Sequence, residues 1–323
     1  MMKKLINPIT GALPLILLCG SLFGSCIAED LSDCPNQQLQ ISFTLDDSAE
    51  SVSTRSGGPY SVTLYAYGDN GQCAMMHDLE IESLNATTTI DVSLTPGTYD
   101  FVAWVNHSPE YFELPRYEQF PSVRPTKDVS VLYLTIPATS TVDYTLPRLL
   151  HGSASDQLVK NGTGQVDIPL VQNTNYIHFT VEGLDRTTSV YEFRVRDNNG
   201  AYDFDNGFEA CTPFTYVSTT RFADSGTTLD ADMTLLRLAE DRTPKFTLHD
   251  RDTGKTIYPS QSDQETNLVK LIQNAYESQG KSIDFDRQHV FDIKIKFSGG
   301  VDMDVTITVN GWEIIEDDSG LRP

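Results

Sequence analysis

From Leu39 onward the chain alternates apolar and polar side chains with a period of two. Leu39, Ile41, Phe43 and Leu45 fall on one face and Gln40, Ser42 and Thr44 on the other, which is the pattern of a half-buried antiparallel strand. The same period returns in Val62-Leu64-Ala66, Ile90-Val92-Leu94, Tyr99-Phe101-Ala103-Val105 and Val142-Tyr144-Leu146. Turn signals such as Asp69-Asn70-Gly71 and Pro96-Gly97 separate these runs. With no helical pattern between them, the runs predict an all-β sandwich or barrel and exclude βαβ units.

Around residues 147–164 the alternation relaxes into Pro147, Gly152, Ser153, Asn161, Gly162 and Gly164, and a domain boundary is expected at 150/151. This divides the chain into an N-terminal β-sandwich over 37–150 and a C-terminal one over 151–323. Strands of the second include Val166–Val171, Ile177-Phe179-Val181, Tyr191-Phe193-Val195, Ala231-Met233-Leu235 and Phe246-Leu248. Pro169 lacks an N–H and marks its strand as an edge. A hairpin about Ser298-Gly299-Gly300 is expected to set Phe297 against Val301, Ile295 against Met303, Ile293 against Val305 and Phe291 against Ile307. That register also puts Lys296 opposite Asp302 and Lys294 opposite Asp304. One helix stands out, with Leu268, Leu271, Ile272, Ala275 and Tyr276 as its apolar stripe and Ser262 and Glu265 as an expected capping box. Its expected place is over an edge or end of the second sandwich.

The first 25 residues do not fit this scheme. Lys3 and Lys4 precede an apolar run from Ala12 to Phe23, too short for a membrane span, and the run ends in Leu22-Phe23-Gly24-Ser25-Cys26. Small residues before a cysteine are what a lipoprotein signal peptidase needs. Residues 1–25 therefore read as a lipoprotein signal peptide cut between Ser25 and Cys26, with 26–36 as a lipidated linker. Leu17 and Leu18 are too large to precede a cleaved cysteine, which discards Cys19. Each buried acyl methylene contributes about 0.8 kcal/mol, so two or three chains on Cys26 would hold the protein stably in a membrane. An ordinary secreted protein is the plainer alternative. Three cysteines then remain in a disulfide-permitting compartment, and Cys34 with Cys73 is the expected pair because both serve the first domain. Cys211 is left over as a buried thiol.

The chain carries 23 Lys+Arg against 45 Asp+Glu, a net charge of −22, which excludes nucleic-acid binding and opposes broad contact with anionic lipid. His77, His107, His151, His178, His249 and His289 show no metal-ligand spacing, and there is no nucleophile elbow or phosphate-binding glycine loop. No catalytic residue, metal or cofactor is expected. Two acidic loops, Asp197-Asn198-Asn199-Gly200 running to Asp203 and Asp205, and Asp250-Arg251-Asp252-Thr253-Gly254, could be read as calcium sites. Their Asn, Asp and Gly content suits tight turns better. Trp104 and Trp312 read as core packing in preference to a sugar-stacking platform.

Four stretches carry a family resemblance: CIAEDLSDCP at 26–35, YSVTLYAYGD at 60–69, PGTYDFVAWVN at 96–106 and VTITVNGW at 305–312. Together they resemble the anchor and accessory subunits of Bacteroidetes-type fimbriae, specifically the anchor of the minor (short) fimbriae. Ile27-Ala28-Glu29-Asp30 looks like the acidic export tag of surface lipoproteins from those bacteria. The resemblance implies two tandem transthyretin-like β-sandwich domains and a lipidated N-terminus in the outer membrane. The implied partner is the fimbrial shaft subunit, bound by β-strand addition, and accessory fimbrial subunits are further possible partners. It also implies that the protein limits fibre length, since a lipidated member can only be a terminal unit. Shaft subunits of this kind are cut after an arginine in the first domain. Here Arg55, in Ser53-Thr54-Arg55-Ser56-Gly57-Gly58, reads as an uncut loop residue. The alternatives are a glycan-binding surface lipoprotein of a nutrient-uptake system, with Trp104 and exposed tyrosines stacking on sugar, and a fimbrial tip adhesin.

Overall fold

The computed structural model describes residues 37–45, 59–117, 126–160, 163–223, 226–259, 265–298 and 304–315. Their first ten strands are β1 (Gln37–Leu45), β2 (Tyr60–Gly68), β3 (Cys73–Ile81), β4 (Thr87–Val92), β5 (Gly97–Val105), β6 (Phe112–Glu113), β7 (Val131–Leu134), β8 (Thr141–Val142), β9 (Leu150–Val159) and β10 (Thr163–Gln172). The next eight are β11 (Thr174–Glu182), β12 (Tyr191–Asp197), β13 (Ala201–Asp203), β14 (Phe214–Thr220), β15 (Thr228–Leu236), β16 (Lys245–Asp250), β17 (Lys255–Tyr258) and β18 (Thr266–Asn267). Helix α1 (Leu268–Glu277) and strands β19 (Val290–Ser298), β20 (Asp304–Val309) and β21 (Trp312–Ile315) complete the chain order. The fold is all-β, with one α-helix among the described residues.

The period-two runs become strands whose apolar faces are the ones expected, except that of Val142-Tyr144-Leu146 only Val142 lies in a strand. Seven strands form one sheet in the order β3-β2-β5-β9-β10-β1-β4. One of its faces gathers Leu39, Ile41 and Phe43 with Val62, Leu64, Phe101, Ala103, Val166 and Ile168 into a single buried cluster, so the sheet folds back on itself around its own core. The corner lies at β9, which pairs with β5 along most of its length but with β10 only from Leu150↔Gln172 to Gly152↔Leu170. Gly152 is required there: a Cβ would come within 2.7 Å of Ile168, Leu170 and the Pro169 carbonyl. β10 lies between β9 and β1 in the sheet order, but the β9 ladder covers only Leu170 to Gln172, so at Pro169 the strand pairs with β1 alone and the proline stands on a locally free edge.

The two strands that follow the expected boundary at 150/151 thus belong to the first sheet. The chain passes to the second sandwich after Gln172. That sandwich has a five-stranded sheet, β15-β11-β19-β20-β21, facing a six-stranded set, β17-β16-β12-β14-β8, with β18 on β16. Between them Phe179 stacks on Phe193 at 5.0 Å and on Phe246 at 4.9 Å, and these rings are fully buried. Fully burying one such side chain contributes roughly 1.5–3 kcal/mol.

The outer face of β2 and β5, with Tyr65, Tyr67, Val102 and Trp104, joins the core of the second sandwich. A three-stranded sheet, β13-β7-β6, pairs Tyr133 with Ala201 and ties residues before the second sandwich into it. Lys127 adds ion pairs to Asp100 at 3.2 Å and Asp205 at 2.8 Å. β8, expected in the first sandwich as part of Val142-Tyr144-Leu146, pairs with β14 of the second. Asn36–Pro323 is one compact unit.

Two local expectations are corrected. The last hairpin pairs Phe297 with Val305, Ile295 with Ile307 and Ile293 with Val309, four residues away from the expected register. An even shift keeps every apolar side chain on its face, so side-chain parity does not distinguish the two registers. What fixes it is β21, which follows the turn at Asn310 and Gly311 and pairs Val309 with Trp312. Lys294 then meets Glu182 at 2.8 Å instead of Asp304. The helix does not start from Ser262, which lies outside the described residues. Thr266 and Asn267 are held as a strand against β16, and Asn267 is the N-cap, its Oδ1 accepting from the Lys270 N–H at 3.2 Å. The expected stripe of Leu268, Leu271, Ile272, Ala275 and Tyr276 is buried.

Candidate functional site

Ser25, Cys26, Cys34 and Arg55 lie outside the described residues. Cys73 opens β3, is fully buried and has its Sγ 3.3 Å from the Met75 carbonyl. Cys211 is a half-buried thiol whose pKa is raised by burial. No described helix is long and apolar enough to cross a membrane.

The acidic loops are built as turns. Asp203 Oδ1 accepts from the N–H groups of Asp205 and Gly207, and Asp205 pairs with Lys127. Asp197 accepts from Arg242 at 2.9 Å. Asp250 Oδ1 accepts from the N–H groups of Asp252 and Thr253, and these bonds lower the carboxyl pKa against the opposing effect of desolvation. Each of these carboxylates holds an N–H or a cation of the chain itself through its Oδ1, the Oδ2 of Asp197 being buried without a hydrogen-bond partner, and the described residues contain no cluster of His, Cys, Asp and Glu suited to a metal ion.

The histidines are scattered. His107 Nε2 and Thr63 Oγ1 share a hydrogen bond of 3.2 Å, and burial holds the histidine pKa down. His151 donates its ring N–H to the Phe204 carbonyl at 3.1 Å, and burial lowers its pKa to about 4. Trp104 is 0% exposed, packed edge-on to His151 at 4.7 Å. It cannot stack on a sugar. Trp312 is half-buried, set against Tyr276 at 4.3 Å, with the Lys281 ammonium 4.5 Å from its ring centre.

Two features remain that could meet another molecule. The first is β1. It sits inside the first sheet, parallel to β10 and antiparallel to β4, so the chain fills this strand position with its own N-terminal strand. The second is the open side of the second sandwich. β8 pairs with β14 only at Thr215 and Tyr216, and beyond them the outer edge of β14 from Val217 to Thr220 has no strand partner among the described residues. β15 is the neighbouring edge of the opposite sheet. Residues 141–146 cross between the two edges and close one end, with the Leu146 N–H donating to Thr234 Oγ1 at 2.7 Å.

A cleft of about 760 Å³ opens there, lined by Val142, Tyr144, Val217, Ser218, Thr219 and Met233 among others. On its floor Glu192 accepts from Arg194 and pairs with Arg251 at 3.4 Å, so the charges offset one another. What the cleft offers is main-chain donors and acceptors of a strand edge, hydroxyls and a little apolar surface. That chemistry suits an extended polypeptide. Nothing in the sequence alone marked this site, because it is a gap in pairing and carries no motif.

Comparison with known proteins agrees with this architecture. The chain is 24% identical over 174 residues to the major fimbrium anchoring subunit FimB of Porphyromonas gingivalis, covering 52% of this chain and 54% of that protein, so it spans about half the length of the curated relatives it matches. The solved fimbrial anchor protein Mfa2 of Porphyromonas gingivalis superposes with a TM-score of 0.67 at 20% identity, over 87% of this chain and 99% of Mfa2. A Bacteroides thetaiotaomicron protein for which an adhesin role has been suggested superposes with a TM-score of 0.67 at 19% identity, over 89% and 100% of the two chains. The family model of the fimbrillin-A associated anchor proteins Mfa1 and Mfa2 matches residues 31–318, and the chain belongs to that family.

Proposed function

We propose that this protein is an outer-membrane lipoprotein that holds a minor (short) fimbria on the cell surface and limits its length, without enzymatic activity. Cys26 is its lipidated first residue, a Cys34–Cys73 bond stabilises the segment that follows, and Arg55 stays uncut. The shaft subunit adds a strand along the free edge of β14. The observation that carries the reading is the pairing pattern. In the first sheet β1 is flanked on both sides, by β10 and β4, whereas the outer edge of β14 is covered over only two of its residues, Thr215 and Tyr216. Uncut Arg55 fits the same pattern, since β1 buries Leu39, Ile41 and Phe43 completely.

The fimbria class is the finer part of the proposal, because the relatives include the anchor of a major fimbrium as well as Mfa2. The Cys26→Ala variant should shed fimbriae into the medium, and the fimbriae it sheds should carry the short-fimbria shaft subunit. Fimbriae that stay on the variant cells would refute the tether. A photo-crosslinker at Ser218 should capture the shaft subunit, and one at Glu80 on β3, an edge strand of the first sheet, should not; capture at Glu80 alone would refute the β14 assignment. Immunogold label at the fibre base separates an anchor from a tip adhesin. Glycan binding through Trp104 is disfavoured by its complete burial.

A further inference from the structure

Among the described residues β1 is the first strand after the proposed lipid anchor, and the register of its ladders sets how it meets a pull on that anchor. Its pairing with β10 is parallel, from Gln38↔Thr163 to Leu45↔Leu170. Parallel strands place both N-terminal ends together. The chain therefore leaves β10 at Gln172, at the far end of the ladder, and enters β11 of the second sandwich directly at Thr174. Tension between the N-terminus and the second sandwich pulls β1 and β10 lengthwise in opposite directions. In that geometry the inter-strand bonds take the load together, whereas tension applied at adjacent ends would break them one after another.

The opposite flank is held as well. β4 pairs with β1 from Gln37↔Val92 to Ser42↔Thr87, and Ser42 and Thr87 share a side-chain hydrogen bond of 3.0 Å. The far end of β1 is pinned by Asn85, whose N–H donates to the Phe43 carbonyl at 2.7 Å and whose Oδ1 accepts from the Leu45 N–H at 2.9 Å. Sliding by one residue would turn Leu39, Ile41 and Phe43, all fully buried, onto the wrong face of the sheet. A lengthwise pull thus meets two ladders, a pinned end and a buried side-chain row at once.

We propose that β1 is a mechanical clamp, loaded in shear between β10 and β4, that bears the force a fibre exerts against its membrane attachment. This rests on the anchor reading for its purpose, but the clamp itself is a property of the isolated chain. Single-molecule force spectroscopy on the chain beginning at Cys26 tests it. One bioorthogonal handle is attached at the N-terminus and the other at Glu277 in α1, or in a second preparation at Lys160, which precedes β10 at the end where β1 begins. The thiols are kept reduced, because a Cys34–Cys73 bond would carry tension past β1 to β3.

At one pulling speed, the step that releases β1 should need at least about twofold more force with the Glu277 handle than with the Lys160 handle. Neither preparation changes a core residue, so folding is not at issue. The Phe43→Ala variant should lower the Glu277 force and bring the two geometries closer. Equal forces in the two unsubstituted preparations, or a lower one through Glu277, would overturn the clamp. Either result leaves the anchor reading standing, while fimbriae retained by the Cys26→Ala variant would remove that reading and leave the force ratio unchanged.

Discussion

Acid should loosen the contact between the two sandwiches through His151. The ring is buried where the outer face of the first sheet meets Tyr202 and Phe204, with Trp104 at 4.7 Å. Desolvation dominates its titration and Arg237 adds to it, against the opposing carbonyl of Phe204 and the carboxylates of Asp203 and Asp205, so the folded pKa falls to about 4. In the unfolded chain a histidine titrates near about 6.5. Above that value both states are neutral and the full stability is present. As the pH falls from there towards 4, the unfolded chain takes up a proton that the folded chain refuses, and stability is lost.

The loss amounts to about 2 kcal/mol at pH 5 relative to pH 7, and about 3 kcal/mol once the pH is below the folded pKa. Denaturant unfolding of the wild type and the His151→Phe variant at pH 7 and pH 5 measures it. Phenylalanine leaves the Phe204 carbonyl without its donor, which costs about 1–3 kcal/mol at every pH. It has no proton to gain, however, so the variant should lose about 2 kcal/mol less than the wild type between the two pH values. His289, whose pKa burial also lowers to about 4, acts in the same direction in both proteins and cancels in the comparison. Asp78 and Asp250 have lowered pKa values and contribute mainly below pH 5. Equal pH dependence in the two proteins would refute the reasoning.

Other perturbations have defined outcomes. Gly152→Ala forces a Cβ to within 2.7 Å of Ile168 and Leu170 and should cost about 1–3 kcal/mol in a thermal or denaturant melt. Asn267→Ala removes the bond to the Lys270 N–H and should cost about 1 kcal/mol in the same melt. Calcium or a chelator should leave the melting temperature where it is, because Asp197 is already paired with Arg242, Asp205 with Lys127, and Asp203 and Asp250 each accept main-chain N–H groups of their own turns. Sugars should not quench the fluorescence of Trp104, and a Trp312→Phe variant isolates that signal.

Local chemistry made much of this protein legible in its sequence. Alternation assigned the buried face of nearly every long strand, because side chains on a strand can point only two ways and water rejects one set. The apolar stripe of α1 and the turns of the acidic loops follow from equally local rules. A lipoprotein-like leader and four stretches of resemblance pointed to a fimbrial anchor, and the family match agrees.

Tertiary structure alone decided everything that depends on which strand lies beside which. Parity could not separate hairpin registers four residues apart; β21 did. The loop-like composition near residue 150 marks a sheet corner at Gly152, because β9 and β10 still have main-chain groups to satisfy and find them in the first sheet. Asn267 took the cap from Ser262 once β16 claimed the residue before it as a strand. The free edge of β14 and the shear-loaded position of β1 exist only as relations between distant segments, and hydrogen-bond pairing across a sheet leaves no mark on the order of residues along the chain.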